Sequence, residues 1–125
     1  MWDGFDKRKF PRLKLRCEIL IEPPEPGTPP ILATTENVGE GGVCLIQDKP
    51  LERFSRCQLR IELEKNIPKI ECAGKVIWII PRREPLGQKT RYDTGIEFQE
   101  IKPEDREKIR SFIQAILPKG FQQIS

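Results

Sequence analysis

The sequence contains no histidine. Histidine is the commonest general base and the usual partner of a serine or cysteine nucleophile, so triad chemistry is excluded. Paired carboxylates could act instead, but Glu62 and Glu64 face outward on a predicted strand. Glu104 and Asp105 begin a predicted helix, where they stabilise its dipole. Because phosphate-binding loops of the GxGxxG and P-loop types are also missing, we predict that the chain is not an enzyme.

The four cysteines do not have the spacing of a metal site. Cys17, Cys44, Cys57 and Cys72 lie far apart without a CxxC pair, and no histidine can complete a zinc site. Each falls within an apolar stretch of strand character, which indicates buried and reduced thiols. A redox or disulfide role is the alternative. We expect no metal and no cofactor.

Long apolar runs are also missing. The longest, residues 76–80, is far shorter than the roughly 20 residues of a membrane-spanning helix. Residues 1–6 do not have the basic start and apolar stretch of a secretory signal, which favours the cytoplasm. A chain of 125 residues, with 37% hydrophobic and 33% charged residues, is typical of one soluble domain. We expect a flexible N-terminus over residues 1–6 and a single domain over residues 7–125.

Alternation of apolar and polar residues predicts an all-β fold. The period of two runs through residues 13–22 and returns near residues 57–64 and 70–80, while residues 31–38, 43–47 and 91–98 also have strand character. Segments rich in proline or glycine separate several of them. Apolar residues then recur at helical spacing from about residue 103 to 117. Six short strands indicate a barrel or sandwich over residues 13–98, followed by one helix.

The strand over residues 70–80 carries an unusual apolar run. Trp78 continues the period of Val76 and is expected in the core, with a stacking surface as the alternative. Ile77 and Ile79 then lie on the opposite face, which the helix or another chain should cover.

Positive charge is concentrated before the first strand. The net charge is only +3, but residues 7–16 hold six lysines and arginines and no acid. Arg8 and Arg12 flank Pro11, and their guanidinium groups can hold phosphate oxygens bidentately or point at O6 and N7 of guanine. The segment therefore fits an anionic partner, and a solvated basic arm that binds nothing is the alternative.

A glycine-rich turn follows the second predicted strand. Residues 37–42 read Asn-Val-Gly-Glu-Gly-Gly. Glycines let backbone amides approach a ligand closely, and the Asn37 side chain offers a donor and an acceptor to a base edge. The same glycines could serve only a tight hairpin.

Together, Arg8 to Arg12 and Asn37 to Gly42 resemble the PilZ family motif, RxxxR followed by DxSxxG or NxSxxG. The resemblance extends to residues 74–78, to residues 93–98 and to the helix near Pro103, and covers about residues 7–117. It implies a six-stranded antiparallel split β-barrel with a C-terminal α-helix. Gly39 replaces the usual serine, which removes a hydrogen bond worth about 0.5–1.5 kcal/mol.

The resemblance also implies a function and a set of site residues. The resemblance implies a receptor that binds the bacterial second messenger cyclic di-GMP. In this chain Arg8 and Arg12 would contact the phosphates and guanine. Asn37, Gly39 and Gly42 would then form the base-binding turn. We expect binding to draw the arm, residues 7–12, onto the turn and to change a surface that a downstream protein reads.

Two alternative functions stay open. The first is a PilZ-like adaptor that does not bind the dinucleotide and acts through Ile77, Ile79 or the helix. The second is a nucleic-acid-binding barrel that stacks bases on Phe5 and Phe10, although we expect no nucleic acid polymer as the partner.

Overall fold

The computed structural model describes residues 12–14, 17–82 and 84–116, the first range for its backbone only. Within these ranges seven strands and one helix follow one another in chain order. They are β1 (Arg12–Lys14), β2 (Glu18–Glu22), β3 (Ile31–Gly39), β4 (Gly42–Gln47), β5 (Arg56–Glu62), β6 (Ile70–Pro81), β7 (Tyr92–Gln99) and α1 (Pro103–Ile116). The predicted flexible N-terminus and the predicted last helical residue, Leu117, lie outside the described residues.

Six of the strands form a closed antiparallel ring. The order is β2-β3-β4-β7-β6-β5, and β5 pairs with β2 to complete it. Closure leaves no long open edge, which is why a small all-β chain adopts it. The predicted six-stranded antiparallel barrel with a C-terminal helix is confirmed.

The first predicted strand is divided into two. β1 pairs with residues 37–39 of β3, and β2 pairs with residues 31–34 of the same strand. Between them the amide of Cys17 donates to the hydroxyl of Thr35 at 2.6 Å, and the Cys17 carbonyl accepts from the Thr35 amide at 2.9 Å. The Thr35 hydroxyl thus accepts the hydrogen bond that a backbone carbonyl would accept in a regular ladder, and the strand pairing is interrupted there.

The barrel interior is filled by inward-facing aliphatic side chains. Ile19, Ile61, Ile70 and Ile96 are fully buried. The apolar face of α1 joins the same cluster through residues that recur at helical spacing, namely Ile109, Phe112 and Ile113. The helix is therefore packed on the barrel core and is part of the same folding unit.

Trp78 does not belong to this core, and its predicted place there is wrong. Val76 pairs with Ile96 and Trp78 pairs with Gly95, so Ile77 is an extra residue in β6. Such a bulge reverses the alternation of faces beyond it. Trp78 consequently lies half-buried on the outer face, outside the core cluster.

The bulge also moves Ile79. It pairs with Thr94, whose side chain is fully buried. Paired residues of neighbouring antiparallel strands share a face, so Ile79 lies on the inner side of the barrel. The prediction that Ile77 and Ile79 form one outward face is therefore wrong for Ile79.

Candidate ligand-binding site

The end of the basic arm lies beside the glycine turn. In the pairing of β1 with β3, Arg12 is opposite Gly39 and Lys14 is opposite Asn37. These residues are remote in sequence, and the antiparallel ladder brings their backbones to neighbouring strands, about 5 Å apart. Arg8 and the side chain of Arg12 lie outside the described residues.

The turn itself is a two-residue connection. β3 ends at Gly39 and β4 begins at Gly42. Among the described glycines, a left-handed φ is found at Gly27 and Gly87 and not in this turn. The turn glycines are therefore not needed to permit a left-handed backbone.

Two contacts anchor the turn to the rest of the fold. The carbonyl of Gly41 accepts a hydrogen bond from the Phe98 amide at 2.9 Å. The carboxylate of Glu40 accepts two hydrogen bonds from the Arg110 guanidinium, one from Nε and one from Nη2, each at 3.1 Å. Glu40 is only 3% exposed, and its hydrogen bonds and charge are the main causes that raise the pKa of Arg110.

Sequence reasoning missed the pairing of Glu40 with Arg110. The sequence signal was limited to Glu40 itself, a charged residue within a glycine-rich turn. Its partner was not identifiable from sequence, since the two residues are 70 positions apart.

Asn37 belongs to a row of outward positions that crosses four strands. It pairs with Cys44 in β4, Cys44 pairs with Gly95 in β7, and Gly95 pairs with Trp78 in β6. A Cβ atom at Gly95 would overlap the indole ring of Trp78, so the ring occupies the space beside Gly95 that a side chain would take. The outer face beside Asn37 thus carries an aromatic surface that the sequence pattern had assigned to the interior.

A cluster of charged side chains lies next to this row. Glu36 is the extra residue of a bulge in β3, and Arg82 contacts it at 3.5 Å and Asp93 at 2.9 Å. Burial, and then the charge and hydrogen bond of Asp93, raise the pKa of Glu36 despite the opposing effect of Arg82. The cluster borders a groove of about 580 Å³ that Gln47 and Arg91 also line.

The four cysteines are buried, as predicted, and Cys17, Cys57 and Cys72 are free thiols. Burial raises the pKa of Cys57 to about 11 and, with the charge of Asp105, that of Cys72 to about 12. Cys44 differs from the other three because it lies on the outer face and outside the core cluster.

The part of the chain that the structure describes contains no group of three or more histidine, cysteine or acidic residues placed to hold a metal ion. Within the same ranges, no helix has both the length and the apolar character that a membrane span requires. α1, with 14 residues, carries charged side chains along its outer face.

The closed ring, the short β1 strand beside the turn and the packed helix define a small antiparallel β-barrel domain. Residues 6–115 match the family model described as the PilZ domain, and the chain belongs to this family. The predicted membership of the PilZ family is thereby confirmed. No curated protein matches the chain at a significant level.

Solved structures share the fold at low sequence identity. The PilZ domain of Escherichia coli YcgR with c-di-GMP is 13% identical, has a TM-score of 0.72, and is matched over 94% of this chain and 96% of that one. Bacillus subtilis MotI, an inhibitor of motility, is 22% identical with a TM-score of 0.71, over 90% of this chain and 53% of that one. The K. pneumonia MrkH complex with c-di-GMP is 16% identical with a TM-score of 0.71, over 94% and 55%. The chain spans about half the length of MotI and MrkH.

Proposed function

We propose that the chain is a non-catalytic receptor for cyclic di-GMP. The observation that carries the proposal is the strand register, which pairs Arg12 with Gly39 and Lys14 with Asn37. This register brings the backbone of Arg12, at the end of the arm, next to the glycine turn. Structures of YcgR and MrkH with c-di-GMP, which share this fold, support the choice of ligand.

Each motif residue has a role that suits its chemistry. Arg8 and Arg12 bind the phosphates and the guanine faces, because a planar guanidinium offers paired donors and can stack on a base. Asn37 offers an amide to a base edge. Gly39 and Gly42 leave the backbone open to close approach, and their ordinary φ values support this role over a purely conformational one.

We add Trp78 to the proposed site as a stacking surface. Its indole lies over Gly95, two strands from Asn37, and strands in a sheet are about 4.8 Å apart. A dinucleotide that contacts Asn37 can therefore reach the ring with one of its bases. Base stacking on an aromatic side chain contributes about 1–3 kcal/mol per base.

Binding acts as a switch in this proposal. The dianionic ligand attracts the basic arm, residues 7–12, and holds it against the turn, which changes the surface that a downstream protein partner reads. Free buried thiols at Cys17, Cys57 and Cys72 suit a reducing compartment, so we place the receptor in the cytoplasm.

Calorimetry against matched ligands tests the proposal. We expect saturable binding of cyclic di-GMP and much weaker binding of its linear form and of GMP. Arg8→Ala and Arg12→Ala should each weaken binding by at least about 1.5 kcal/mol, the lower range for a hydrogen bond to a charged group.

Two outcomes would replace the proposal. No heat with cyclic di-GMP at high concentration would favour the adaptor. Tight binding of single-stranded DNA that weakens steeply with salt and shows no preference for the cyclic dinucleotide would favour the nucleic-acid barrel.

A further inference from the structure

The turn at the proposed site is joined to the C-terminal helix by an ion pair whose carboxylate is buried. The Glu40 side chain is 4% exposed and the Arg110 side chain 42% exposed. Both carboxylate oxygens are engaged by the same guanidinium, in the side-by-side geometry that fixes two planar groups relative to each other. The position of the turn is therefore tied to the position of α1.

Arg110 is itself held in place from the helix side. Its Nη1 donates to Glu107, one turn earlier, at 2.6 Å. The neighbouring helix residues Ile109 and Ile113 are buried in the core. Contacts within the helix thus orient the guanidinium independently of Glu40. If the turn moves, either the helix must shift with it or the ion pair must break.

The carboxylate of Glu40 depends on this partner. A buried carboxylate that loses a counter-charge is strongly destabilising, because it has given up its hydration. Among the described residues, Arg110 is the ion-pair partner of Glu40. An uncompensated negative charge at the turn would also oppose the approach of an anionic ligand.

We propose that Glu40 and Arg110 are positioning residues of the ligand site, which fix the turn for binding and couple its occupancy to the docking of α1. The inference rests on the proposed function, since the ligand is the one assigned to the turn. Coupling of this kind is reciprocal: if α1 holds the turn in its binding conformation, ligand on the turn stabilises the docked helix. The helix then becomes the element through which binding is transmitted.

Three variants separate a positioning role from a role in folding stability alone: Arg110→Met, Arg106→Met and the double variant E40Q/R110M. Arg106 is an exposed arginine on the same helix, so its variant loses the same charge without the pair. We expect Arg110→Met to lower the melting temperature and to weaken cyclic di-GMP binding by roughly tenfold, within the usual range of coupling between sites. Arg106→Met should bind as the wild type does.

The double variant is the decisive one. It removes the unpaired buried charge, so its melting temperature should recover, while its affinity should stay about tenfold low because the link to α1 is still missing. Wild-type affinity in the double variant would overturn the inference, since affinity would then simply follow stability.

Hydrogen exchange provides a second readout. Saturating cyclic di-GMP should slow amide exchange at residues 109–113 of the wild type and leave it unchanged in the double variant. Equal protection in both proteins would overturn the coupling. If the wild type does not bind cyclic di-GMP, the proposed function and this inference both fail. If the wild type binds it and the variants bind it with the same affinity, this inference alone fails.

Discussion

The indole ring of Trp78 lies directly over the backbone of Gly95 on the neighbouring strand. This packing exists because the bulge at Ile77 turns Trp78 outward and because residue 95 has no side chain. The ring therefore lies in the same outward row as Asn37. The Trp78 ring, on which a base can stack, thus lies in the same row as Asn37, whose amide can hydrogen-bond to a base edge.

Gly95→Ala should displace the Trp78 ring. The added methyl group would overlap the indole, so the ring must leave its place over the strand. We expect a shifted tryptophan emission, measured in a Trp2→Phe background, and a loss of about 1–3 kcal/mol in cyclic di-GMP binding, the value of one stacked base. Unchanged emission together with unchanged affinity would show that Trp78 takes no part in binding.

Gly74→Ala is the matched substitution on the core side. Its methyl group would lie 2.6 Å from Cγ2 of Ile96 and 2.8 Å from Cδ1 of Leu59. Overpacking of this kind costs about 1–3 kcal/mol of unfolding free energy, which denaturant titration measures. Trp78 emission and ligand affinity should remain those of the wild type. Equal losses of affinity in the two alanine variants would mean that Gly95 acts only through stability.

The residue pattern predicted the strands of the ring and left a barrel or a sandwich open, the family resemblance predicted the barrel, and neither predicted the bulges. Alternation of apolar and polar residues marks strands that have one buried face, such as β2 and β5. A bulge inserts one residue without altering composition, so the residue patterns around Glu36 and Ile77 contain no mark of it. For this reason the outward position of Trp78 was not predictable by counting along the strand.

The candidate site was also predictable from the sequence only in part. The turn residues were visible as a motif, because glycine and asparagine are locally distinctive. The pair of Glu40 with Arg110 depends on how the helix docks, which is set by burial of Ile109 and Ile113 and not by local sequence. Long-range ion pairs of this kind become predictable only once the packing is known.

Glu36 should make the protein less stable as the pH rises through the acidic range. Its pKa in the folded state is raised above the ordinary value of 4.5, mainly by burial and by Asp93. Between these two values the folded protein keeps a proton that the unfolded chain has released, so unfolding becomes more favourable with rising pH. Denaturant titrations from pH 4 upward, with carboxyl NMR titration of Glu36, measure the effect.

Glu36→Gln should remove this part of the pH dependence. Glu25→Gln, in the exposed proline-rich loop, removes the same charge at a distance and serves as the control. If Glu36→Gln and the wild type lose stability in parallel over this pH range, the raised pKa of Glu36 is not the cause.

The thiols of Cys57 and Cys72 should be unreactive in the folded protein. Burial raises their pKa values to about 11 and about 12, so at pH 8 only about one thousandth or less of each is the reactive thiolate. We expect slow alkylation of both without denaturant and rapid alkylation in urea, followed by peptide mass spectrometry. Fast labelling of Cys57 in the folded state would contradict its place in the core.

Equilibrium binding of cyclic di-GMP to Arg12→Ala, measured by calorimetry beside Arg56→Ala, tests the central claim most directly. Arg56 is an exposed arginine in an ion pair with Glu100 on the barrel surface, and its loss removes the same charge. We predict that Arg12→Ala keeps the wild-type melting temperature and loses at least about 1.5 kcal/mol of binding, while Arg56→Ala binds normally. Wild-type affinity in Arg12→Ala would contradict the account.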